Sequence, residues 1–170
     1  MRLFVIAIVA AVTAAFALPA AAQTASRKTT TVVYSALTAA DLDALLAEAG
    51  YTDVTRVSDK QVNVVAPDGF NFTLTQAVCD APDQPEGCLG LSIQATWTIK
   101  ARDRAVLTPA LNQFNIDYAM GKALLFDDFV MLDRYAITDG GVTLMHIRQE
   151  IGEFLSMSQL LEEAMAAVLD

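Results

Sequence analysis

Residues 61–98 read QVNVVAPDGFNFTLTQAVCDAPDQPEGCLGLSIQATWT, and their spacing decides the fold class. Gln61 to Ala66 runs into Pro67-Asp68-Gly69, a turn signal in which Pro pre-sets one dihedral and Gly accepts a positive φ. Phe70, Phe72 and Leu74 then alternate with Asn71, Thr73 and Thr75. Beyond the next ten or so residues, Leu89, Leu91, Ile93, Ala95 and Trp97 alternate with Gly90, Ser92, Gln94, Thr96 and Thr98. Successive side chains on a strand point to opposite faces, so each run has one buried and one wet face. Together with a short extended segment from Val54 to Val57, these runs predict an antiparallel meander.

Helices flank that meander. Thr38, with Asp41 three residues on, is a capping-box-like start; Leu42, Leu45, Leu46 and Ala49 follow at helical spacing, and Gly50 ends the run. A second helix is predicted from about Thr108 to Met120, with Pro109 in its first turn, Gly121 as its stop, and Leu107, Leu111, Phe114 and Tyr118 as its apolar stripe. Leu124 to Phe126 and Phe129 to Ile137 read as two more strands, closed by Thr138-Asp139-Gly140-Gly141, and a last helix is predicted from about Thr143 to Leu169. The order α-β-β-β-β-α-β-β-α is that of an α+β domain with helices packed on an antiparallel sheet.

The first residues set the expected compartment. Met1-Arg2 is a short positive start, Leu3 to Leu18 has only Thr13 polar, and Pro19 precedes Ala20-Ala21-Ala22. A charged start, an apolar run and small residues at the cleavage position make a secretory signal. An uncleaved anchor would need about 20 apolar residues and no such site. The expected organisation is a signal peptide over residues 1–22, a flexible leader over 23–34 containing Ser26-Arg27-Lys28, and a single domain over 35–170, periplasmic or secreted. Without the first 22 residues the apolar share falls from 54% to about half, an ordinary globular composition. The chain carries 20 acidic and 11 basic residues, a net charge of −9, with no block of Lys or Arg. Nucleic acid and anionic membranes would be repelled by such a surface, and no second segment approaches spanning length.

Export changes how Cys79 and Cys88 are read. Two cysteines in an oxidising compartment favour a disulfide, here joining neighbouring strands. Closing so short a loop contributes about 2.5–3 kcal/mol in the chain-entropy model. A redox-active pair is more typically Cys-x-x-Cys at a helix start, and a metal site wants more than two soft ligands.

Signals for catalysis are thin. His146 is the only histidine, and no nucleophile or orienting carboxylate is specified beside it by spacing. The sequence has no Gly-x-Ser-x-Gly elbow, phosphate loop or dinucleotide fingerprint, so no cofactor is expected. Asp127, Asp128 and Asp133 lack the alternate spacing of a calcium loop, and Asp80, Asp83 and Glu86 read as a solvated acidic loop, so no metal is expected either. Asn112 and Asn115, one turn apart, fit hydrogen bonds from the helix to a neighbouring strand.

The run Cys88-Leu-Gly-Leu-Ser-Ile-Gln-Ala-Thr-Trp97, then Asn112-Gln-Phe114-Asn115, then Gly140-Gly141-Val-Thr143 before a long terminal helix, resembles the bacterial YbjN-type family. Leu37-Thr-Ala-Ala-Asp41 with Gly50-Tyr51 adds to the resemblance, which spans roughly residues 35–165. The family pattern commonly has Trp and Arg around the asparagine pair, where this chain has Phe114, Asp117 and Tyr118. Members carry a sensory transduction regulator label. The resemblance implies an α+β fold similar to class I chaperones of type III secretion, which are often dimeric and bind polypeptide. It marks Asn112, Phe114, Asn115, Gly140 and Gly141 as motif positions with structural roles.

In the last helix, Phe154, Met157, Leu160, Leu161, Ala164, Met165 and Val168 cover a wider arc than the roughly 100° that one core face needs. Either the helix packs against two elements of its own domain or part of the arc meets another chain. On the second account Met157, Leu160 and Leu161 are the candidate partner-binding residues. The expected function is an exported, non-catalytic binding or regulatory module in a signal or stress response, engaging a protein or peptide partner as a homodimer. A small periplasmic hydrolase or metal-dependent enzyme using His146 and acidic residues, and a structural envelope component, are the alternatives.

Overall fold

In the computed structural model, which describes residues 32–169, Thr38 opens the first helix as its spacing predicts. Its hydroxyl accepts from the Asp41 backbone N–H while the Asp41 carboxylate accepts from the Thr38 N–H, so two orphan donors of the helix start are satisfied reciprocally. Helix α1 is Ala39–Glu48, and Gly50 takes φ +86° just past its end. The expected signal peptide and residues 23–31 of the expected leader lie outside the described residues.

Two residues assigned to that leader do not belong to it. Strand β1, Val33–Tyr34, pairs antiparallel with β8, Val142–Thr143, just before the last helix. The pairing rests on Gly141, which has φ +99° and where a Cβ would meet Val33 Cγ1 at 2.6 Å; only glycine allows strand and turn to approach so closely.

The meander forms as β2 (Asp53–Ser58), β3 (Gln61–Val65), β4 (Asn71–Ala77) and β5 (Gly90–Thr98). The chain then makes a short 3-10 turn (Ala101–Asp103), α2 (Arg104–Asp117), β6 (Lys122–Leu125), β7 (Phe129–Ile137), β8 and α3 (Leu144–Leu169). The six-stranded sheet has the order β2-β3-β4-β5-β7-β6, antiparallel throughout.

Helix α2 begins four residues earlier than predicted and ends three earlier, with Pro109 inside it. Proline lacks an N–H and frees the carbonyl of the residue four before it, a cost that falls when that carbonyl meets water. Pro109 and Ala105 are both exposed, whereas Leu107, Leu111 and Phe114 are buried on the opposite side. The proline thus sits on the wet face of a helix whose apolar face holds it in place.

One face of the sheet is covered. Val62, Val64, Phe72, Leu74, Leu91, Ile93, Val130 and Leu132 pack with Leu42, Leu45 and Leu46 of α1, with the α2 stripe, and with Ile147, Ile151, Phe154, Met157, Leu161 and Met165 of α3. Met157 and Leu161, the expected partner-binding residues, are therefore core residues, and Leu160 is half-buried against the same core. The wide arc has an internal explanation: α3 packs on α2 and on the sheet together, so it needs two buried flanks rather than one.

Candidate functional site

The opposite face of the sheet carries no helix among the described residues, and its composition follows from strand parity. Residues alternating with the core positions are Gln61, Asn63 and Val65 on β3; Asn71, Thr73 and Thr75 on β4; and Ser92, Gln94, Thr96 and Thr98 on β5. On β7 they are Phe129, Met131, Asp133, Tyr135 and Ile137, and on β6 Lys122 and Leu124. One row crosses the sheet: Asn63 opposite Thr73, Thr73 opposite Gln94, Gln94 opposite Asp133, and Asp133 opposite Lys122.

The face has two halves. On β3, β4 and β5 it is a carpet of neutral polar groups, with a shallow depression of about 380 Å³ lined by Gln61, Asn63, Asn71, Thr73, Gln94 and Thr96 among others. The Thr73 hydroxyl donates to Asn63 Oδ1 at 2.9 Å. On β7 and β6 it becomes apolar and aromatic: Leu124, Tyr135 and Ile137 are exposed, and Phe126 stacks on Phe129 with centroids 4.4 Å apart. The charged positions in this half are Asp133 and Lys122. Asp133 Oδ1 accepts from Ser92 Oγ at 2.8 Å and Gln94 Nε2 at 2.9 Å. Lys122 makes no ion pair among the described residues.

The β6 edge of the sheet is closed by a side chain. Asn115 Nδ2 donates to the Ala123 carbonyl at 2.9 Å, and the Ala123 N–H donates to Asn115 Oδ1 at 2.7 Å. This is the helix-to-strand tie expected of the asparagine pair. Asn112 does not share in it; it is exposed on α2 and makes no side-chain hydrogen bond among the described residues. Phe114 is buried and packs at 4.8 Å on Tyr118. Gly140 and Gly141, with φ +82° and +99°, shape the turn in which the Gly141 N–H donates to the Thr138 carbonyl.

The residues on which the enzyme alternative would draw are dispersed. His146 lies beside Glu150 at 3.5 Å, one turn along α3, and Glu150 is held from the other side by Arg134. Arg134 Nε donates to Glu150 Oε2 at 2.7 Å, and its Nη1 donates to the Met120 carbonyl. This tie of β7, α3 and the turn between α2 and β6 was not read from the sequence, although the alternation in Phe129–Ile137 puts Arg134 on the core-facing side. Asp127 pairs with Arg104 and Asp80 with Lys60, both on the surface. Among the described residues, no group of three or more His, Cys, Asp or Glu is placed to hold a metal ion, and no helix is long and apolar enough to cross a membrane.

Cys79 and Cys88 are bonded across the β4–β5 loop. The Cys88 backbone exchanges two 2.9 Å hydrogen bonds with Leu37, the residue before the α1 cap, and its carbonyl also accepts from the Thr138 hydroxyl. Gln76 Nε2 donates to the Leu37 carbonyl at 2.6 Å. Tyr51, edge-on to Phe72 in a groove between α1 and β2, has its phenol pKa raised above the ordinary value by burial; Arg148 pulls it down and Asp68 pushes it up.

No curated protein matches the chain in sequence. Its fold is similar to the crystal structure of YbjN from E. coli, described as "a putative transcription regulator", with a TM-score of 0.64 at 14% identity over 80% of this chain and 96% of that one. A weaker likeness, TM-score 0.46 at 15% identity, links 71% of this chain to 90% of a chain in the HopA1-SchA chaperone-effector complex. The sequence model described as "Putative bacterial sensory transduction regulator" matches residues 38–167, most of the chain. The chain belongs to the YbjN family.

Proposed function

We propose that this chain is an exported, non-catalytic binding module that engages a protein partner through the open face of its sheet and works as a homodimer in a signal or stress response. The observation that carries this reading is the charge distribution. In a chain of 31 acidic and basic residues and net charge −9, the open face of the six-stranded sheet holds two acids, Asp53 at the β2 edge and Asp133, and one base, Lys122. Depletion of charge with enrichment of aromatic residues and Met marks the centre of protein interfaces rather than solvated surface. Membership of a regulator family agrees with binding rather than turnover. Export is supported by the order of residues 1–22 and by the disulfide, which persists in oxidising compartments.

A photo-crosslinking amino acid placed at Thr96, on the open face, tests the reading in living cells against the same probe at Ala166 on the exposed side of α3. Adducts from Thr96 alone, weakened by Met131→Asp, are expected. No adduct from Thr96, or equal adducts from both positions, would overturn it.

A further inference from the structure

Deepening that reading, and resting on it, we infer that the β6–β7 half of the open face is the dimer interface, and that its occupant is the same half of a second copy. The argument is self-complementarity. A two-fold interface brings one patch against itself, so residue i meets residue j and j meets i. Lys122 and Asp133 are directly opposed on neighbouring strands and project from the open face. A two-fold axis lying in the interface, parallel to the strands and midway between β6 and β7, sets Lys122 of each copy over Asp133 of the other. The same operation sets Leu124 over Met131, because these two are opposed one step along the same ladder. One axis therefore matches the charged pair and the apolar pair together.

The charge of the whole chain favours this face. Two copies that each carry a net −9 repel, and contact is least costly where the acids are fewest. Around the axis each copy offers one acid and one base, so the patch itself is neutral. Lys122 has no ion-pair partner within its own chain among the described residues, whereas Asp133 is already oriented by Ser92 and Gln94.

Tyr135, next to the charged pair along β7, supplies an aromatic anchor of the kind that dominates such contacts.

Sedimentation of the purified chain tests this. Wild type is expected to run as a dimer, with Lys122→Asp and Met131→Asp each weakening self-association by about tenfold or more. Lys122→Asp combined with Asp133→Lys re-creates the opposed charges in reversed order and should restore the dimer. A monomeric wild type overturns the inference, and Thr96 adducts to a different protein would then show that the binding reading survives it. A dimer indifferent to Lys122→Asp and Met131→Asp alike, or a double variant no tighter than Lys122→Asp alone, also overturns the inference.

Discussion

Tyr135 lies across Gly90: a Cβ built on Gly90 would sit 1.8 Å from the phenol oxygen. The ring fills the space over a glycine on the adjacent strand, at the end of the open face where Ile137 is opposite Gly90. Gly90→Ala is expected to swing the half-exposed ring outward at a stability cost below the ~1–3 kcal/mol of core overpacking, because the displaced atoms can move into solvent. Urea unfolding gives the cost, and the tyrosine ring resonances in NMR show the displacement.

Asn115 stands in for a strand that the sheet does not have. Asn115→Ala leaves the Ala123 N–H and carbonyl without partners and should cost about 1–3 kcal/mol by urea unfolding. Asn115→Asp should cost at least as much, since a carboxylate can accept from the Ala123 N–H but sets two oxygens against each other at its carbonyl. Amide exchange at Ala123 should accelerate in both variants.

The Arg134–Glu150 pair is nearly buried, with the Arg134 side chain 8% and that of Glu150 15% exposed. Removing one partner strands the other charge, so Arg134→Ala should destabilise by about 3–5 kcal/mol. Arg134→Met with Glu150→Met should recover part of that loss, because two apolar side chains of similar volume leave no uncompensated charge. Thermal unfolding of the three proteins side by side checks the order.

Reduction of Cys79–Cys88 should lower stability by about 2.5–3 kcal/mol. Thiol titration of the denatured, non-reduced protein should find no free thiol. The loss should concentrate at α1, because the Cys88 backbone is what Leu37 is hydrogen-bonded to. Amide exchange of residues 39–48 is the measurement.

Tyr51 makes folding sensitive to alkali. Its pKa is raised by burial in the folded state, so above pH ~10 the unfolded chain loses the proton while the folded one keeps it. Its contribution is intact below that pH and is lost as pH climbs through the raised folded value. Tyr51→Phe should flatten the alkaline decline of the unfolding midpoint.

Much of this was legible because it is local. The Thr38–Asp41 box, the period-two runs around Pro67-Asp68-Gly69, and the bonded cysteines each depend on residues close in sequence. The start of α2 was misplaced because proline was weighed only as a first-turn residue; its tolerance inside the helix depends on which side faces water. Met157 and Leu161 were misassigned for a related reason. Periodicity measures the width of an apolar stripe, and only packing reveals that α2 and the sheet both claim it. Arg134 was detectable as a charge on the wrong parity of β7, but its acceptor, Glu150, is brought to it by tertiary folding.

The joining of Val33 to Thr143 has a consequence in time. A ribosome releases the first strand of this domain long before the last, and at ~5–20 residues per second the interval is about 5–20 s. Throughout it Val33 and Tyr34 have no mate, and Leu37 waits for Cys88. The stretch leading into α1 therefore emerges first but is clasped late, at Leu37 by Cys88 just before β5 and at β1 by β8, so a chain halted before residue 142 is left unclosed at its own beginning.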